Sequence, residues 1–143
     1  MKILDYGFEE VPFWRLFTRV SRIGYPDETL LSVYREFGVV KREDRDDNKN
    51  RVGADTSRYQ LVEPGDLVVN KMKAWQGSLG VSGYRGIVSP AYFVYTPHHS
   101  CNDVYLNYVL RSQPLVDHYF ANSKGIRPGQ WDLQPERLDQ IRV

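Results

Sequence analysis

Few residues in this sequence are of a type and spacing that do chemistry. Asp66, Asn70, Lys71 and Lys73 follow the carboxylate–amide–amine order of a metal-dependent nuclease. Magnesium in such a site needs a second carboxylate, and Asn70 is neutral. His98, His99 and Cys101 are three potential zinc ligands. Adjacent histidines point to opposite sides of an extended chain, however, and no CxxC partner exists, so a surface loop is the better account. The Glu9, Glu10 pair and the Asp44, Asp46, Asp47 group lack apolar neighbours that would raise a carboxyl pKa, which suits solvated loops rather than acid–base work. His118 sits beside Tyr119 and Phe120, where packing or a surface position is expected. P-loop, GxGxxG, HExxH and GxSxG motifs are absent, and no cofactor is called for.

What remains is charge and its placement. The chain has 143 residues, with 19 Lys and Arg against 18 Asp and Glu, which excludes a histone-like protein and sets a scale of one domain, residues 1–143. Residues 67–131 nevertheless hold six basic side chains against two acidic ones, enough for one face to meet a polyanion. No apolar run approaches the roughly 20 residues of a membrane helix, and acids occupy the start where a secretory signal would be apolar. A soluble, cytoplasmic protein is expected. The single cysteine, Cys101, is consistent with a reducing compartment.

The elements that must position these charges are strands first and helices last. Thr29–Arg42 reads as two short strands around a turn, with Gly38 at the waist. Lys41–Arg58 is polar and charged, and reads as a long loop. Tyr59–Val62 and Leu67–Met72 flank Glu63-Pro64-Gly65-Asp66, which predicts a hairpin with a type II turn. Ser78–Ser82 and Ile87–Tyr95 flank Gly83–Gly86, which predicts a second; Pro90 places its strand at an edge or on a bulge. From Asn102 or Asp103, either of which can cap the start, apolar side chains recur at helical offsets up to a break near Pro114. The tail Gly125–Val143 is a Gly/Pro loop followed by an amphipathic stretch too short to stand alone.

The stretch from Glu63, EPGDLVVNKMKAWQGSLGVSGYRGIVSPAYFVYTP, resembles the target recognition domain of type I restriction-modification specificity subunits. The likeness lies in Gly65-Asp66, Lys71-Met72, Ala74-Trp75-Gln76-Gly77 and the run from Gly86 to Tyr92. Leu30–Glu43 and Tyr105–Arg127 extend it to most of the chain. The resemblance implies an α+β fold with a strongly bent, barrel-like β region and short helices at the C-terminal end. It implies a non-catalytic module that reads double-stranded DNA for a modification (methyltransferase) subunit and a restriction subunit, beside a second recognition domain. It also implies the amino-terminal half of a longer subunit, cut before its spacer helix, or a half-size subunit. The readings from other classes are a small metal-dependent nuclease and an RNA- or protein-binding module.

Under that resemblance the shared motif builds scaffold, so Gly65, Gly86, Ser89 and Pro90 are expected to set turn and bulge geometry and Trp75 to pack. Lys71 and Lys73 share a parity, so on an extended strand they would hold one phosphate track. Gln76, Arg85, Lys124, Arg127 and Gln130 fall in turns or loops and suit guanine, adenine or phosphate. The loop after residue 41 adds Arg42, Arg45, Asn48, Asn50 and Arg51. Arg127 and Gln76 are the expected base readers, and Lys71 and Lys73 the positioners.

Overall fold

The structure is a computed structural model that describes residues 2–4, 7–9, 11–42, 55–124 and 132–143. In chain order it has strands β1 (Lys2–Leu4), β2 (Gly7–Glu9), β3 (Phe17–Val20), β4 (Leu31–Tyr34), β5 (Gly38–Lys41), β6 (Gln60–Val62), β7 (Leu67–Asn70), β8 (Leu79–Val81), β9 (Gly86–Val88) and β10 (Tyr92–Pro97). Helices α1 (Asp103–Leu110) and α2 (Gln113–Ala121) follow, then β11 (Ser123–Lys124), β12 (Asp132–Leu133) and the short α3 (Pro135–Leu138). The class is α+β. The one four-stranded sheet runs β3-β10-β7-β8, and β1-β2, β4-β5, β6-β9 and β11-β12 are two-stranded ladders; the described strands form no closed barrel. Among the described residues no helix is long and apolar enough to cross a membrane.

The run Leu67-Val68-Val69 lacks polar alternation because both faces of β7 are covered. Leu67 and Val69, with Phe93 and Tyr95 of β10, meet Leu106, Leu110 and Tyr119 of the helices. Val68 and Val94 face the other way, onto Leu31, Val33 and Val39 of the β4-β5 ladder and Val62 and Val88 of β6-β9. Full burial of such a side chain contributes about 1.5–3 kcal/mol. The Asn102 side chain accepts from the Tyr105 amide and starts α1; the helices break at Arg111-Ser112, next to Pro114 at the start of α2. The apolar tail residues Leu138, Ile141 and Val143 join the core with Val11 and Phe13, held by Val11–Val143 and Phe13–Ile141 backbone bonds.

The β4-β5 hairpin stands as expected. The other two hairpins do not. At Pro64-Gly65 the type II turn forms, with the Asp66 amide donating to Glu63 O at 3.0 Å and Gly65 at φ +95°. Its flanking strands nevertheless part: β6 pairs with β9, and β7 with β8 and β10. The cause is Ser82, which accepts from the Gly65 amide and donates to Asp66 O, docking the turn on the end of β8. Ile87–Tyr95 likewise splits into β9 and β10, because Ser89–Tyr92 closes a turn at 3.1 Å with Pro90 inside it. Gly86 permits the crossing beneath, since a Cβ there would lie 2.5 Å from Thr29 O and 2.6 Å from Leu31 Cγ.

Candidate nucleic-acid interface

β7 connects two polar regions that differ in how their charges are met. At its first end Asp66 is buried, and its Oδ2 accepts from the Glu63 amide at 2.9 Å and from Arg22 Nη2 at 2.7 Å. Burial outweighs these two partners and pushes the Asp66 pKa above the ordinary carboxylate value. Glu63 also takes a bond of 2.8 Å from Arg85 Nη1, while Arg85 Nε reaches Glu28 at 3.3 Å. The Arg85 guanidinium lies 5.8 Å from the centre of the Tyr25 ring. Here each described arginine has a carboxylate.

At the other end β7 stops at Asn70, whose Oδ1 accepts from the Met72 amide at 3.2 Å while its carbonyl accepts from the Lys73 amide at 3.0 Å. Lys71 and Lys73 are therefore in a turn and not on one strand face, contrary to the parity reading. The Lys71 amine lies 5.8 Å from the centre of the Phe93 ring, whereas Lys73 faces a cleft. Ala74–Gln76 form a 3₁₀ turn closed at Gly77, and the Trp75 ring lies edge-on to Phe120 of α2 at 5.9 Å with its Nε1 donating to Met72 O. Trp75 thus packs, and its packing fixes where Gln76 points. The turn is anchored on the hairpin by Ser78 Oγ, which donates to Val33 O at 3.3 Å.

The cleft so formed is about 590 Å³, between the end of β4 and the Lys71–Ser78 connection. Arg35, Arg42, Lys73, Asn70, Gln76 and Tyr92 line it, with Glu36 the one acid among the described lining residues. Among the described residues neither Arg35 nor Lys73 is in an ion pair. The Arg35 carbonyl accepts from Arg111 Nη2, which ties the hairpin turn carrying Arg35 to the end of α1. Such a surface presents fork donors, a point charge and two amides to a polyanion whose edges carry both donors and acceptors.

Of the residues expected from sequence to meet DNA, Arg42, Lys73 and Gln76 come together in this cleft. Lys71 and Arg85 do not line it. Lys124 lies on β11, paired with Asp132. Arg45, Asn48, Asn50, Arg51, Arg127 and Gln130 lie outside the described residues. Sequence reasoning missed Arg35 and Tyr92. The signal for Arg35 was its place in the Arg35-Glu36-Phe37 turn of a hairpin that was read correctly; Tyr92 was hidden by reading β9 and β10 as one strand.

The nuclease residues are not assembled. Asp66 and Asn70 stand at opposite ends of β7, about 13 Å apart at the rise of an extended strand. In the His98–Cys101 segment, His99 Nδ1 accepts from the Cys101 amide at 3.0 Å, its ring is edge-on to Phe17, and burial lowers its pKa. Among the described residues no group of three or more His, Cys, Asp or Glu is placed to hold a metal ion.

In comparisons with known proteins, the chain matches no family model and no curated protein.

Proposed function

We propose that the chain is a sequence-specific double-stranded DNA recognition module of a cytoplasmic type I restriction-modification system. It acts as one target recognition domain, beside a second, and gives specificity to a methyltransferase subunit and a restriction subunit that supply the chemistry. The observation that carries this reading is the cleft in which Arg42, Lys73 and Gln76 meet Arg35 and Asn70, with Glu36 the one acid among its described lining residues. Amide and guanidinium groups suit base edges, and Lys73 suits phosphate as a point charge. The short ladders packed around one central sheet suit the bent, barrel-like β region of that family, with α1 and α2 as its closing helices.

The test is selection of duplexes from a random library by the purified chain, followed by binding to single-base variants of the selected site. A shared motif whose single-base variants bind more weakly supports the reading. Recovery of unrelated sequences, or metal-dependent nicking of plasmid by the protein, overturns it.

A further inference from the structure

The cleft continues past Tyr92. On the far side of this residue a second pocket of about 270 Å³ is lined by Arg19, Ser21, Arg58, Gln60 and Pro90, and Tyr92 belongs to both. Among the described residues no carboxylate lines it, and neither Arg19 nor Arg58 is in an ion pair. The wall between the two pockets is fixed by Gln60, a buried side chain whose Nε2 donates to Tyr92 O at 2.7 Å and to Ser89 O at 3.3 Å. Arg19 is steadied over the Phe93 ring at 4.4 Å, on the strand that pairs with β10. Arg58 is exposed just before β6, and its long, flexible side chain lines the pocket.

We propose that this second pocket binds the phosphodiester backbone of the same DNA strand that enters the cleft, with Tyr92 as the ridge between neighbouring phosphates. One phosphate then lies against Arg58, backed by Arg19, and the next against Lys73 and Arg35. The inference rests on the reading of the chain as a DNA-binding module. It adds that the contact is to backbone and carries no sequence information, because Arg58 and Arg19 lie on the side of Tyr92 away from Gln76 and Asn70.

The experiment measures binding of a fluorescein-labelled mixed-sequence duplex between 50 and 200 mM salt by the parent chain and by Arg58→Gln, Arg58→Lys and Lys73→Ala. Loss of one phosphate contact removes about 0.9 from the log–log slope, so the parent's advantage over Arg58→Gln shrinks about threefold across that range. Arg58→Lys keeps the slope, since a point charge suffices for phosphate. Thermal melts that coincide with the parent's exclude a folding effect at this exposed position. If Lys73→Ala loses slope and Arg58→Gln does not, the second pocket is unused and this inference falls while the cleft stands. If neither variant changes binding, both the cleft and its extension are wrong.

Discussion

The two ends of β7 hold arginines in opposite circumstances. At the Asp66 end, Arg22 and Arg85 meet Asp66, Glu63 and Glu28, and their charge is answered within the fold. At the Asn70 end, among the described residues, Arg35 and Lys73 have no ion pair and face a cleft lined by one acid, Glu36. A cation held by carboxylates has little left to offer a polyanion, while one held only by its own backbone's position is available. The first end therefore builds the fold, and under the proposed reading the second meets DNA. Substitutions should separate accordingly, those at the first end changing stability and those at the second changing binding.

The largest effect belongs to the first end. Gly86→Val pushes a side chain into Thr29 O and Leu31, and should cost about 3 kcal/mol, read as a lowered midpoint in urea. Gly65→Val forces a β-branched residue to a φ of +95° and should cost about 2 kcal/mol in the same assay. At temperatures where each variant remains folded, its duplex affinity should match the parent's. A weakened affinity in the folded variant would mean that the two ends are not separable.

How far the sequence reveals this division follows from the range of the forces involved. The type II turn, a cap at Asn102 or Asp103 and the β4-β5 hairpin were legible because each is set by a few neighbouring residues, such as Gly65 or Gly38; that Asn102 is the cap was settled by the structure. The pairing of β6 with β9 was not, because it depends on Ser82 seizing the turn from another strand. The same limit applies to charge. Arg85 and Lys73 look alike in sequence, both basic and both near turns, and the carboxylates of Glu63 and Glu28, brought up from other segments, distinguish them. Lys71 and Lys73 differ for a more local reason: Asn70 ends the strand, so residue parity no longer decides direction.

At the second end, Gln76→Ala should leave the melt unchanged and relax preference at one base position by about 1 kcal/mol or more, read on single-base variants of a selected duplex. Uniform weakening across the panel would make Gln76 a positioner like Lys73. The smallest effect is in pH dependence at the first end. Because burial raises the Asp66 pKa, the folded chain holds that proton more tightly than the unfolded chain does. This contribution to stability is complete below the ordinary carboxyl value and is lost as pH rises through the raised folded value. Asp66→Asn should flatten that part of the stability–pH curve, measured as urea midpoints across the acidic range. A parent that instead gains stability relative to Asp66→Asn as pH rises would show that Arg22 and the Glu63 amide, and not burial, govern this carboxyl.

The contrast between Lys73 and Arg85 tests the central claim most directly. Duplex affinity is measured against salt from about 0.1 M upward, where charges more than about 10 Å apart are largely screened. Lys73→Ala should bind all duplexes more weakly, with a log–log slope shallower by about 0.9, and Arg85→Ala should overlay the parent. A parent that binds without salt dependence, or an Arg85→Ala variant that loses slope while Lys73→Ala does not, would contradict the assignment of the cleft as the DNA-binding face.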